Sequence, residues 1–167
     1  MVKQRRVFEQ GHRRKFLVVI DETPEVEHAL YFAASRIGHT GGQIVLLYVI
    51  EPTDFTQWAG VKAVQVEEET AKAKALFRLN RRKLDKAGFE TTATEEVVRS
   101  GKRPDEIVKL IEEDEDIAIM ILGASIDKGG PGPLVSSLAA GKLAGSFPIP
   151  IVIVPGNLSL DHIKALA

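Results

Sequence analysis

Ile117-Ala-Ile-Met-Ile-Leu122, then Gly123-Ala-Ser-Ile-Asp-Lys-Gly-Gly-Pro-Gly-Pro133, then Leu134-Val-Ser-Ser-Leu138 is the stretch on which the reading of this chain turns. An unbroken apolar run between an acidic cluster and a glycine describes a strand covered on both faces, as a parallel sheet requires. The glycine-rich turn that follows predicts entry into a helix over about Leu134 to Ala144, ended by Gly145. In open α/β sheets, ligands bind where a central strand gives way to such a turn, because helix amides face the crevice there.

Working outward, the same grammar recurs. Phe16 to Ile20 is a short apolar strand ending at Asp21, and Thr23-Pro24 reads as N-cap and first helical residue. Val26, Ala29, Leu30, Ala33 and Ile37 make one apolar stripe, with Gly38 as its stop. Gln43 to Ile50 is a second buried strand, so the first 50 residues form a βαβ unit with a right-handed crossover expected. A long helix follows over about Val66 to Ala87, with Glu68 and Lys72 spaced as an i,i+4 pair. Thr91 to Val98, rich in threonine, suits a sheet edge. Pro104-Asp105-Glu106 opens a helix with Ile107, Leu110 and Ile111 on its core face, and Ile151 to Val154 is a last strand. Ser159 reads as the cap of a short terminal helix.

Five strands alternating with four main helices describe a three-layer α/β sandwich around a five-stranded parallel sheet. With strand order 3-2-1-4-5, the switch point lies between the first and fourth strands and brings Asp21 to the crevice at Gly123. The expected organisation is a basic arm over residues 1 to 14, one domain over 15 to 155 and a tail over 156 to 167.

Composition narrows the function. The 167 residues carry a net charge of -1, which argues against a general nucleic-acid binder. The absence of cysteine excludes disulfides and thiolate metal sites and fits a cytoplasmic protein. No stretch approaches the roughly 20 apolar residues of a membrane span. Residues 1 to 15 hold six cations against Glu9 alone, so the start of the chain is +5 and the rest -6. Such an arm is expected to be solvated and dispensable for folding, with salt-sensitive contacts to Glu112 to Asp116 at most. Those five consecutive acids read as a solvated turn, since Ca²⁺ loops alternate ligands with spacers. Phe55 and Trp58 lie in an irregular segment, Pro52 to Ala63, as a lid or tucked onto the domain. The four histidines lack metal-ligand spacing, and His28 is expected at the surface. No P-loop or dinucleotide fingerprint follows the first strand; Gly141-Lys142 is succeeded by leucine.

Phe16-Leu-Val-Val-Ile-Asp21 with Glu-Thr-Pro-Glu25, Val45-Leu-Leu-Tyr-Val-Ile-Glu-Pro52, Asp105-Glu-Ile-Val-Lys-Leu-Ile111, Ile121-Leu-Gly123 and Ile151-Val-Ile-Val-Pro155 together resemble the universal stress proteins. That resemblance implies a Rossmann-like fold of the adenine nucleotide alpha hydrolase type. It also implies a non-catalytic stress-response role, a homodimer through Ile151 to Val154, and ATP or AMP as ligand with no cofactor required. Nucleotide-binding members carry Gly-x2-Gly-x9-Gly-[Ser/Thr]. Laid on this chain from Gly123, its second glycine falls on Ile126 and its third on Ser136, with Ser137 at the hydroxyl position. By resemblance the nucleotide contacts are Val19, Asp21, Val49, Leu122, Gly123, Ser125, Ser136, Ser137 and Leu138, with Asp21 at the ribose or adenine and Ser137 at phosphate.

Ile126 puts a branched side chain where the family has glycine, and Pro131 and Pro133 lack N–H donors, so Gly129 to Pro133 reads as a stiff cover more than as a phosphate nest. Weak ATP binding is expected, with Ile126 as its main cause. A nucleotide-free dimeric interaction module is the alternative.

Overall fold

Alternation of side chains between two buried faces explains why all the strands but the polar Thr94–Ser100 are apolar along nearly their whole length. The computed structural model describes residues 3–52 and 59–167, and its sheet is five-stranded and parallel: β1 (Lys15–Val19), β2 (Gln43–Ile50), β3 (Thr94–Ser100), β4 (Ile117–Ala124) and β5 (Ile151–Pro155). Their order is β3-β2-β1-β4-β5, as the sequence predicts. From β1 and β2, Phe16, Val18, Ile44 and Leu46 pack on one face against α1 (Val26–Thr40) and α2 (Ala59–Lys86). Leu17, Val19, Val45 and Leu47 pack on the other face, against Ile107, Leu110 and Ile111 of α3 (Arg103–Glu113). Two-sided burial of this kind removes any need for a polar face.

The helices follow the expected stripes, with shifted ends. Val26, Ala29, Leu30, Ala33 and Ile37 are all buried, but α1 runs past Gly38 to Thr40 and closes with the Gly41 N–H on the Ile37 carbonyl, 2.7 Å away. Thr23 is not its cap. Glu25 occupies that position, with no side-chain capping bond. α2 starts at Ala59, well before Val66, and Lys72 pairs with Glu22 at 2.5 Å. Phe55 and Trp58 lie outside the described residues. His28 is half-buried, with its Nδ1 enclosed. No helix among the described residues is long and apolar enough to cross a membrane.

The predicted helix over Leu134 to Ala144 is instead one π turn, Val135–Ala139, followed by tight turns. Val135 and Leu138 are anchored in the core. A Cβ at Gly141 would sit 2.8 Å from the Ser137 carbonyl oxygen and 2.9 Å from that of Ser136, so the chain folds down onto its own carbonyls. Gly141 and Gly145 supply little helix propensity to resist this.

The arm makes the contacts to the acidic turn that were expected of it at most, and it is docked on backbone carbonyls as well. The Arg5 guanidinium donates from Nη1 to the carbonyls of Ile111, Asp114 and Ile117 at 2.6, 3.1 and 3.2 Å, which satisfies acceptors at the end of α3. The Arg6 N–H donates to the Glu115 carbonyl, His12 Nδ1 lies 2.7 Å from Asp116 Oδ1, and Lys15 Nζ lies 2.7 Å from Asp114 Oδ2. Arg5 and Arg6 of the arm and Lys15 of β1 therefore partner the acidic turn and offset its clash with the helix dipole. Arg5→Ala should cost about 1.5 kcal/mol, the low end for a charged donor, and lower the melting temperature by about 3 to 6 °C. An unchanged melt would show that the arm adds nothing to stability.

Candidate functional site

Asp21 and Gly123 meet where β1 and β4 end, as the strand order requires. The Asp21 carboxylate holds its own loop: Oδ1 accepts from the Thr23 N–H at 2.8 Å and from the Thr23 hydroxyl at 2.5 Å. This is an Asx turn, which fixes Glu22 to Pro24 before α1 begins. The chain then passes so close to β4 that a Cβ at position 123 would lie 2.7 Å from the carbonyl carbon of Glu25 and run into its oxygen. Gly123 is therefore required for close approach of α1 rather than of a ligand.

Above this floor lies a crevice of about 200 Å³, walled by Val19, Asp21, Glu25, Arg103, Leu122 and Gly123 and roofed by Pro131-Gly132-Pro133. Ligand pockets commonly measure about 300–1,000 Å³, so the space is small for a whole nucleotide. The roof stands by its own hydrogen bonds. The Ser125 N–H donates to Pro131 O at 3.0 Å, the Asp127 N–H to Ser125 Oγ at 3.1 Å, the Gly130 N–H to Asp127 O at 3.1 Å, and the Ser136 N–H to Gly132 O at 3.1 Å. Gly130 and Gly132 take φ of 101° and 108°, open to glycine at little cost. The Ser125, Asp127, Gly130 and Ser136 amides are thus engaged within the loop, and both prolines have none to offer.

Of the nine residues singled out by sequence, Val19, Asp21, Leu122 and Gly123 line the crevice. Val49 and Leu138 are buried in the core on the α3 side, Ser125 is spent on the roof, and Ser136 and Ser137 are exposed outside the crevice. Ile126 is 72% exposed and is not part of the lining; its Cγ2 lies 3.3 Å from where a Cβ of Gly156 would stand. Glu25 and Pro131-Gly132-Pro133 line the crevice where Ile126 was expected. Sequence reasoning missed Thr23, Glu25 and Arg103. A cation directly before the helix-opening Pro104 was the available signal for Arg103.

Electrostatics at the mouth are mostly negative. Asp21 and Glu25 line the crevice with Arg103, whose Nε lies 3.4 Å from Glu51 Oε1. Burial, and then the Glu69 carboxylate that accepts its hydroxyl at 2.7 Å, push the Tyr48 phenol far up, so it stays neutral. Among the described residues no cluster of three or more histidine, aspartate or glutamate side chains could hold a metal ion.

Comparison with known proteins agrees with this architecture. A universal stress protein UspA from Lactobacillus plantarum is similar at 16% identity and TM-score 0.64, over 84% of this chain and 97% of that one. A universal stress protein from Archaeoglobus fulgidus in complex with dAMP is 17% identical, TM-score 0.59, over 84% and 97%. A universal stress protein in complex with cAMP is 16% identical, TM-score 0.55, over 84% and 95%. No curated protein matches the sequence. The model of the universal stress protein family matches residues 12–155, and the chain belongs to that family.

Proposed function

We propose that this protein is a non-catalytic stress-response domain that binds the nucleoside end of an adenine nucleotide and tolerates one phosphate better than three. The observation that carries this reading is the small crevice over Asp21 and Gly123, roofed by two prolines that offer no N–H, with the Ser125, Gly130 and Ser136 amides before and after them already bonded within the loop. Two of the similar structures are complexes with cAMP and dAMP, each bearing a single phosphate. Asp21 would accept from ribose hydroxyls or the adenine amino group. The cysteine-free composition fits work in the cytoplasm.

The same reading includes a homodimer through β5. That strand is outermost, Ile153 is 43% exposed on it, and Ile126 and Leu143 are exposed apolar residues in the connection that leads from β4 to it. An unpaired apolar edge of this kind calls for a partner strand. Sedimentation at micromolar concentration should give a dimer, and Ile153→Lys a monomer.

Calorimetry with adenosine, AMP and ATP tests the ligand. Each charge-assisted phosphate contact contributes about 1.5–3 kcal/mol, so a triphosphate without amide partners should bind at least about tenfold more weakly than AMP. Ile126→Gly should leave all three affinities within about twofold, given the position of Ile126 outside the crevice, a twofold change being about 0.4 kcal/mol. Tight ATP binding by the wild type would refute the reading. Failure of all three ligands in a dimeric protein would favour the interaction module, which the small crevice and the apolar edge also suit.

A further inference from the structure

The crevice has two unlike ends, and its cation sits at the end away from the roof. Arg103 follows β3, whose Ser100 pairs with Ile50 of β2, so it reaches the crevice from the β2 side. The roof approaches from the β4 side, through the Ser125 to Pro131 bond. Among the described residues Arg103 is the one cation in the lining, and its Nε is buried without a hydrogen-bond acceptor. Its neighbour Glu51 is near enough for Coulombic attraction at 3.4 Å, but makes no hydrogen bond to Nε and is 52% exposed. Ion pairs of that kind are weak and easily exchanged.

We propose that Arg103 takes the single phosphate of a mononucleotide, and that Glu51 holds the guanidinium in the ligand's absence and is displaced by it. This rests on the nucleotide reading above and deepens it. The guanidinium fork matches a phosphate with two parallel N–H···O bonds, which an ammonium cannot offer. Asp21 and Glu25, the other charged side chains of the lining, repel phosphate, and two of the three roof residues are prolines without an N–H, so Arg103 is where an anionic group gains most. One cation compensates one phosphate and leaves further phosphates facing carboxylates. The ligand would lie with its phosphate toward the β2 side and its hydroxyls toward Asp21.

The test uses the full chain with AMP, adenosine and inorganic phosphate as probes. Wild type should bind AMP about tenfold more tightly than adenosine. Arg103→Ala should bring AMP down to the adenosine level while adenosine affinity stays within twofold, and Arg103→Lys should retain part of the gap. Glu51→Gln should tighten AMP several-fold through release of Arg103, and the double variant should behave as Arg103→Ala alone. A merely structural role for Arg103 would weaken adenosine equally. Equal affinities for AMP and adenosine in the wild type, or a gap that survives Arg103→Ala, would overturn the proposal. If no nucleoside binds, the nucleotide reading fails, and NMR of the Arg103 Nε–H group decides separately. A saturating shift of that group on titration with inorganic phosphate, reached at lower concentration in Glu51→Gln, would uphold the anion site, and no shift would overturn it.

Discussion

Ile163→Ala should cost about 2 to 5 kcal/mol and lower the melting temperature by about 5 to 15 °C, a large effect for a residue on a short helix outside the sheet. Ile163 is fully buried and belongs to the cluster formed by α1, α2 and the first sheet face. It is carried by α4 (Leu160–Leu166), which the Ser159 side chain caps by accepting from the His162 N–H at 3.2 Å. Lys164 ties the same helix down, with Nζ donating to the Ala87 carbonyl at 2.8 Å and lying 5.1 Å from the Phe89 ring centroid. A helix of 7 residues has little stability of its own, so packing must hold it. Urea unfolding measures the effect, and a loss below about 1 kcal/mol would mean that the cluster closes without α4. The family model ends at 155, yet we expect a chain cut after Gly156 to fare worse than the point variant, because Leu158 leaves the cluster as well.

Gly123→Ala should be nearly as damaging and should remove ligand binding too. Adding one methyl group to a well-packed site costs about 1 to 3 kcal/mol, and here the obstacle is the Glu25 backbone, which cannot rotate away as a side chain would. The N-terminus of α1 must retreat from β4, and with it go Glu25 and the floor of the crevice. Urea unfolding and AMP calorimetry on the same preparation should both register the change, with AMP affinity down by more than tenfold. Gly145→Ala is the control, because nothing lies within 4 Å of a Cβ there. Equal behaviour of the two variants would show that the approach of Glu25 to β4 does not matter.

The sheet was legible because a strand covered on both faces is apolar at nearly every position, and four such runs with one polar edge strand, separated by helical stripes, leave little choice of topology. Helix ends were harder. Gly38 resembled a stop, but a glycine within a helix costs only about 1 kcal/mol, and the packing of Ile37 carries α1 on to Thr40. Asp21 and Gly123 were readable as site residues because each ends a strand beside the switch point. Glu25 and Arg103 were not, since each reaches the crevice from a different element and their convergence exists only in three dimensions. Ile126 was misplaced because the family spacing assumes a loop of the family's shape. Here Pro131, Pro133 and the bonds within the loop route it elsewhere. The arm read as free because it has no periodic apolar face, whereas its anchors are single polar bonds to backbone carbonyls, which carry no periodic signature.

The docking of Arg5 on the carbonyls of Ile111, Asp114 and Ile117 also dictates an order of events during biosynthesis. Its first acceptor lies 106 residues further along the chain. At roughly 5–20 residues per second, a growing chain exposes Arg5 for about 5 to 20 s before any of these carbonyls has been made. Until then the head of the nascent chain is unattached beside a βαβ unit that can already pair. It settles only once β4 has emerged, so the first residues translated are among the last to find their native partners.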